Sequence, residues 1–583
     1  MKDYKAPTQD IQFILRHHLG QDRLSQLKAF ETLDEDLVNA IIDEAAKFAE
    51  QALAPLNQSG DQQGCRLENG QVKTPDGWVE AYHAFRDAGW TGLCLPERLG
   101  GQGLPKVLAM PVAEFWQGAN LAFSMIQPLT EGSVEALLAS GNEALIEQYG
   151  ERLVSGDLCA TMALTEPSAG SDLGLLKTRA EPDGEGNYRL SGQKLYISYG
   201  SHDLSDNILH LVLAKLPDAP AGSKGISLFA VPNKLDDGSA NGVLCTGIEH
   251  KMGLHGSPTC SLTFEGSWGQ IVGEPNQGLR TMFVMMNEAR LSVGLQGVAI
   301  AERAYQSALG WAQERKQGRS VTSGESPVAL VDHPDIKRLL LRMRSQILAA
   351  RLLGSTLGLR ADEARQQGHR HQAEAQQELD LLTPVFKAWS TEAGCALTAD
   401  AIQVYGGMGF IEETGVAQCY RDLKISTIYE GTTGIQAQDF LFRKILRDHG
   451  EALFAWLGRV ESSIAPLTGH SVCQTQWAAI TRQLGALRNQ VQWLVQDKAN
   501  DQPYLHAASV ALLQATGTLA GAWQLARAVI QADDDTVNPA YRDNLRALLQ
   551  FYCGHWLADI PAQLCRIKQA DSGLLSYQFS PVA

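Results

Sequence analysis

A chain of 583 residues is long enough for about three or four domains, each with its own core. Its make-up, 44% hydrophobic and 20% charged, excludes disordered and fibrous classes. A formal net charge of −16 argues against a nucleic-acid backbone as partner, because that binding runs on clustered Lys and Arg, while leaving room for a local basic site that holds a small anionic ligand.

The first segment, MKDYKAPTQDIQFILRHHLG, has acidic and polar residues where a signal peptide needs an apolar core. No 18-residue apolar run follows, so no membrane span is expected. From Asp34 to Ala54 the apolar Leu37, Ile41, Ala45 and Phe48 recur at intervals of three and four behind an acidic first turn, which predicts an amphipathic helix that Pro55 ends. Helices are also predicted at Gly77 to Ala88, Val107 to Phe123 and Gly132 to Tyr149, with the Gly-rich LPERLGGQGLP between them. Residues 1–157 thus read as an all-helical N-terminal domain.

Residues 158–278 change character. Short apolar runs (Tyr188 to Leu190, Lys194 to Ser198, Ile208 to Ala214, Ile226 to Val231) are punctuated by Gly, Pro, Asp and Asn, as in a small antiparallel β domain. Residues 279–450 return to long helices, predicted at Leu279 to Gln317, Pro334 to Gln367, Leu382 to Tyr405 and Tyr420 to Arg447, whose apolar stripes need one another. Residues 451–583 stay helical, with Trp456, Trp477, Trp493 and Trp523 at apolar positions that read as core or interface. The fold class is therefore mainly α with a small antiparallel β domain. Ten cysteines without a C-x-x-C pair predict reduced thiols and a cytoplasmic protein.

Neither a Rossmann fingerprint nor a P-loop occurs, since Gly101-Gln102-Gly103 and Gly407-Met408-Gly409 lack the third glycine and its setting. His369-Arg370-His371 reads as a solvated face of a polar helical stretch, and no metal site is expected. Three stretches are unusual. Thr161 to Asp172, TMALTEPSAGSD, runs from a strand into a loop whose hydroxyls at Thr165 and Ser171 form an ordinary polar turn or a set of donors for a flat polar ring edge. In Ala401 to Phe410, three glycines close a helix, as a cap or as a place where a pyrophosphate approaches backbone amides. In Ile428-Tyr429-Glu430-Gly431-Thr432-Thr433-Gly434, a glutamate lies between an aromatic ring and a glycine within a largely apolar helical region. It reads as a solvated residue at a capped helix terminus, or as a base whose pKa burial has raised.

TEPSAGSD, QVYGGMGF and RDLKISTIYEGTTGIQ, in this order around a β domain flanked by helices, resemble the acyl-CoA dehydrogenase family over about residues 30–450. MKDYKAPTQDIQF, KLYISYGSHDLSDN, KGISLFAVP, EHKMGLHGSPTC and the helical tail are similar to its long bacterial branch, which includes fatty acyl-CoA and 3-methylmercaptopropionyl-CoA dehydrogenases. The resemblance implies FAD held by the β domain and the bundle, with a neighbouring subunit's help. Leu164, Thr165 and Ser171 would meet the flavin's pyrimidine edge, with Met162 in the same run and Thr432 also on the cofactor. Tyr196 and Ser198 match a Trp and a Thr of the family that lie against the flavin ring. Arg315, Gln403 and Gly407 match positions that clasp the adenosine diphosphate half from a partner subunit.

The same resemblance makes Glu430 the catalytic base that takes the α proton of an acyl thioester, its own N–H helping to stabilise the enolate. Ser171, Asn287, Arg290, Tyr429 and Gly431 would contact substrate. Some relatives carry the base one residue before the arginine matched by Arg290; here that residue is Ala289, and Glu288 lies about 100° around the helix. A medium- or long-chain fatty acyl-CoA is the expected substrate, a short or thioether acyl-CoA the alternative, and an electron-transfer flavoprotein the expected acceptor of a homodimeric enzyme. An O₂-using oxidase and a non-catalytic scaffold are the competing readings.

Overall fold

The computed structural model describes residues 3–469 and 473–580. They pack as two compact units, neither contiguous in sequence. One comprises Lys47–Pro105 and Phe115–Ser292; the other takes the described residues of Met1–Ala46, Lys106–Glu114 and Val293–Ala583.

In the first unit a short hairpin, β1 (Arg66–Glu68) and β2 (Gln71–Lys73), interrupts the helices of the N-terminal segment. The main sheet follows with β3 (Leu158–Ala163), β4 (Arg179–Pro182), β5 (Tyr188–Ser198), β6 (Asn207–Lys215), β7 (Ile226–Pro232), β8 (Val243–Ile248) and β9 (Thr259–Ile271). Pairing is antiparallel except where β6 runs parallel to β3 and, at one residue pair, to β4. The pairs β6–β7, β7–β9, β9–β5, β5–β4 and β4–β6 form a circuit, which encloses Ala180, Leu190, Val212, Phe229, Leu262 and Phe264 as a core. Continuous burial along β6 and β7 follows from their apolar runs ILHLVLA and ISLFAV. Trp116, Phe85, Phe123 and Trp78 pack edge to face under the unit's helices.

Pro55 does not end its helix. The Ala54 N–H reaches back five residues to the Ala49 carbonyl, at 2.9 Å, and Pro55 opens the Pro55–Gln63 helix, where a missing N–H costs nothing. The predicted Val107 to Phe123 and Gly132 to Tyr149 helices each split at an asparagine, Asn120 and Asn142, whose side chain caps the helix that follows.

The second unit is built on Pro334–Arg365, Gln372–Tyr405 and the part of Gly278–Glu314 from Val293 on. Gly297 lets two of these helices touch: a Cβ there would lie 2.5 Å from the Ser390 carbonyl oxygen. Arg351, fully buried, bonds bidentately to Glu114 (Nη2 to Oε1 at 2.7 Å, Nε to Oε2 at 3.2 Å) and reaches Asp10 (2.6 Å) and Glu302 (2.8 Å). Burial pushes the Asp10 carboxyl up, but Arg344 and Arg351 hold it far below the usual carboxylate range. The Tyr541 hydroxyl, from the tail, also donates to Asp10 at 2.9 Å. Trp456 and Trp523 meet edge to face at 5.7 Å as core residues. Trp493 is half-buried against Tyr504, and Trp477 is half-buried.

Two expectations fail in this unit. Tyr420 to Arg447 is not one helix: Val416–Lys424 and Thr433–Gln438 are separated by a turn at Ile425–Thr427 and a non-helical stretch. His369 and His371 lie in a turn after Pro334–Arg365 rather than on a helix, and His369 is buried. Among the described residues no helix is long and apolar enough to cross a membrane, and no cluster of three or more His, Cys, Asp or Glu could hold a metal ion.

Candidate active site

The break between Val416–Lys424 and Thr433–Gln438 contains Glu430, in the left-handed region at φ +55, followed by Gly431 at φ +92. A non-glycine residue there costs about 1–3 kcal/mol and persists only where its surroundings enforce it. The enforcing contacts are specific. Gln436 Nε2 donates to the Glu430 carbonyl at 2.8 Å, and Lys387 Nζ donates to the Gly431 carbonyl at 2.6 Å. Thr433 Oγ1 donates to Glu392 at 2.5 Å, the Tyr429 hydroxyl donates to Gln296, and Thr432 caps the next helix by accepting from the Ile435 N–H. Burial pushes the Tyr429 hydroxyl well above its usual range, so it stays a donor. Gly431 is required by its φ, which excludes most side chains, and a Cβ there would push the Gln436 amide from its place, 2.7 Å away. Glu430 itself is half-buried, so a carboxylate stands on a backbone fixed by side chains of two other helices and of the one that follows it. Such a group can take a proton from a ligand carbon held over it.

Arg315, Gln403 and Gly407 come together at one end of this unit's helices. Trp311 and Tyr405 stack at 4.7 Å with an 11° interplanar angle, and the Tyr405 hydroxyl bonds Ser307 at 2.7 Å. Arg315 follows Trp311 by one turn, and Gly406, at φ +64, turns the chain away directly after Tyr405. Arg315, Gln403 and Gly407 are all exposed, and a Cβ on Gly407 would meet nothing within 4 Å.

In the β-bearing unit, the 161–172 stretch leaves β3 and folds over on itself through a Glu166–Ala169 bridge. Lys194 of β5 holds it there: its fully buried ammonium donates to the Leu164 carbonyl and to Glu166, both at 2.9 Å. Glu166 also accepts from the Lys177 and Thr178 N–H groups, at 2.6 and 3.0 Å. Burial pulls the Lys194 ammonium down to about 8, against the attraction of Glu166. The next residue, Leu195, donates its N–H to the Thr165 carbonyl at 2.9 Å instead of to β9, so β5 bulges between Lys194 and Ile197. The bulge puts Tyr196 at φ +61 and 61% exposed on a strand that otherwise alternates in and out. Leu164, Thr165 and Ser198 are half-buried nearby, and Ser171 is exposed farther along the loop. Met162 lies inside β3 opposite Leu211, also half-buried.

Arg290 is buried and bonds the exposed Asn287 at 3.5 Å on the Gly278–Glu314 helix. That helix is regular through 288–290, so Ala289 occupies the position before Arg290 and Glu288 projects in a different direction.

The sequence reading missed Lys387, Gln296, Gln436, Lys194 and Glu166. A lone lysine amid LLTPVFKAWS, a Glu inside the 161–172 stretch and a Lys in the middle of β5 are buried-charge signals that could have found three of them.

Models of known families match along the chain: the acyl-CoA dehydrogenase N-terminal domain at residues 36–157, middle domain at 161–267 and C-terminal domain at 276–443, then an acetyl-CoA dehydrogenase C-terminal-like domain at 456–578. The 3-methylmercaptopropionyl-CoA dehydrogenase of Ruegeria pomeroyi is 39% identical over 98% of this chain and 99% of its own. The broad-specificity linear acyl-CoA dehydrogenase FadE5 of Mycobacterium tuberculosis is 32% identical over 90% of each. An acyl-CoA dehydrogenase from Bacillus anthracis, solved in complex with FAD, shares the fold with a TM-score of 0.75 at 20% identity, covering 100% of this chain and 96% of that one. With full-length identity of this order and four domain matches in sequence order, the chain belongs to the acyl-CoA dehydrogenase family of oxidoreductases.

Proposed function

We propose that this enzyme removes an α proton and a β hydride from a linear fatty acyl-CoA to give the trans-2-enoyl-CoA, with Glu430 as base and FAD as cofactor. The observation that carries the reading is the enforced left-handed backbone at Glu430, a strained position maintained by Lys387 and Gln436. FAD suits the residues present: the β5 bulge offers an exposed aromatic face at Tyr196, with the Leu164–Thr165 main chain and Ser171 beyond it, and Arg315 with open Gly407 suits a pyrophosphate. Bound there, FAD supplies the acceptor for the hydride leaving Cβ. Ser198 and Thr432 would add hydroxyls to its surroundings, with Met162 of β3 also on the cofactor.

Glu430 takes the proton from Cα. Apolar acyl carbons covering the carboxylate would desolvate it and raise its affinity for that proton. The Glu430 N–H stabilises the charge that gathers on the thioester carbonyl. Tyr429 and Gly431 shape the wall beside the acyl chain, and Asn287 and Arg290 hold the CoA end. The exposed Arg315, Gln403 and Gly407 serve the adenosine diphosphate half in a homodimer. Electrons pass to an electron-transfer flavoprotein, and the enzyme works in the cytoplasm.

A second substrate reading, a short thioether acyl-CoA, is favoured by the full-length match to the Ruegeria enzyme. Anaerobic titration of the yellow protein with acyl-CoAs from butyryl to palmitoyl, and with 3-methylmercaptopropionyl-CoA, separates the two. Bleaching by octanoyl and longer thioesters is the expected result; bleaching by the short or thioether substrates alone would replace the fatty-acyl reading. Glu430→Gln is expected to keep its flavin and to bleach about 10²–10⁴-fold more slowly. Unchanged bleaching would remove Glu430 from the role of base.

A further inference from the structure

In the first unit the ion pair between Lys194 of β5 and Glu166, at 2.9 Å, has both partners buried. Desolvating two charges is costly, and apolar residues of similar volume often serve stability as well, so the informative part of the pair is what it holds. Lys194 Nζ turns the Leu164 carbonyl towards β5, and the Leu195 N–H does the same for the Thr165 carbonyl, both at 2.9 Å. Glu166 is fixed in turn. Its carboxylate accepts from the Lys177 and Thr178 N–H groups, and its own N–H and carbonyl exchange bonds with Ala169, each at 3.0 Å. The Leu164–Thr165 peptide is trans and planar, so its N–H points opposite to its carbonyl. With that carbonyl on the ammonium, the Thr165 N–H faces away from Lys194, and among the described residues it has no hydrogen-bond partner. The same bond polarises the peptide: a charged donor on the carbonyl makes the N–H at the other end a stronger donor.

We propose that Lys194, locked by Glu166, is a positioning residue for the cofactor: it aims and strengthens the Thr165 N–H as a donor to the polar edge of the flavin ring. This rests on the flavin lying against Tyr196 and the Leu164–Thr165 main chain. The order of residues along β5 agrees with it. Lys194 holds the Leu164 carbonyl, Leu195 holds the Thr165 carbonyl, and Tyr196 exposes its ring, so a single bulge builds both the wall and the edge contact. A reduced flavin carries more electron density on its ring than an oxidised one. A stronger donor at the ring edge therefore favours the reduced state and makes the cofactor a better hydride acceptor.

The test reads the flavin rather than turnover, on the full-length protein. Lys194→Met removes the ammonium and keeps the side-chain length. Because it strands a buried carboxylate, the double variant Lys194→Met/Glu166→Gln is made alongside, which loses both charges together and keeps an acceptor for the Lys177 and Thr178 N–H groups. FAD affinity is measured by fluorescence quenching on the flavin-stripped proteins. The reduction potential of the reconstituted proteins is measured against indicator dyes, without acyl-CoA. The double variant is expected to melt cooperatively, to bind FAD about 10-fold more weakly and to be reduced at a more negative potential than the unmutated protein. Unchanged affinity and potential would overturn the inference. Weaker binding at an unchanged potential would make the pair a scaffold of the loop and overturn it too, as would failure of both variants to fold. Tyr196→Ala separates this from the placement of the flavin. A flavin spectrum indifferent to that change removes the wall itself, whereas a shifted spectrum beside unaltered Lys194 variants overturns only the role of Lys194.

Discussion

Lys387 contributes nothing to the proposed chemistry directly, yet it holds the carbonyl one residue beyond Glu430 from within a buried helix. Replacing it with methionine keeps the packing and removes the donor. Since a misplacement of about 1 Å can cost about 100-fold in rate, Lys387→Met is expected to lower kcat by about that factor, with a smaller change in KM and normal flavin content. Stopped-flow bleaching over a series of acyl-CoA concentrations measures both; an unchanged kcat would mean that Gln436 alone sets the Glu430 backbone. The sequence made Glu430 conspicuous because an acid between Tyr and Gly is locally anomalous. Lys387 and Gln436 stayed invisible because their role consists of reaching a carbonyl from positions whose separation in space is set by tertiary packing. The positive φ at Glu430 was equally hidden, since only Gly431 beside it advertises an unusual turn.

Strands and helices were legible in proportion to their regularity. Runs such as ILHLVLA and ISLFAV announced β6 and β7, and long apolar stripes announced the bundle helices. The failures have local causes: a five-residue backbone hydrogen bond carries the helix past Pro55, and the bulge in β5 exists because Leu195 pairs with the 161–172 stretch, which no periodicity records. One strand pair also carries a titratable group. His210 of β6 is fully buried and bonds Thr161 of β3 at 2.8 Å, and burial depresses its pKa from 6.5 to about 3. The unfolded chain therefore takes up a proton near pH 6.5 that the folded strand pair refuses. The stability contributed is intact above pH 6.5 and lost as pH falls towards 3, at about 1.4 kcal/mol per unit. Thermal melts from pH 7.5 to 4.5 should show this descent, and His210→Gln should be less stable at pH 7.5 but lose less on acidification. Parallel slopes for the two proteins would assign the acid sensitivity to other groups.

Across the whole chain, the tail after residue 450 belongs to the core of the second unit. Trp389, two residues past Lys387, packs on Gly517 and Gly521 of the Gln502–Gln531 helix so closely that a Cβ at Gly517 would collide with its ring. Gly517→Val is expected to destabilise this unit by at least about 1–3 kcal/mol, seen as a lower Tm, and to slow bleaching by shifting the helix that carries Lys387. A lower Tm with unaltered kinetics would confine the tail to a scaffolding part. That the extension is helical was legible from its composition; that its contacts reach back to residues 10 and 389 was not, because nothing in either segment alone names its partner.

The buried cluster around Arg351 also sets an order of events during synthesis. Asp10 leaves the ribosome 531 residues ahead of Tyr541, whose hydroxyl donates to it. At about 5–20 residues per second, roughly half a minute to two minutes separate them. Throughout that interval the segment around Asp10 lacks this partner, whereas the strands of the sheet, which end at Ile271, are made well before Tyr541. The sheet thus has its whole sequence available long before the segment around Asp10 can complete its buried contacts.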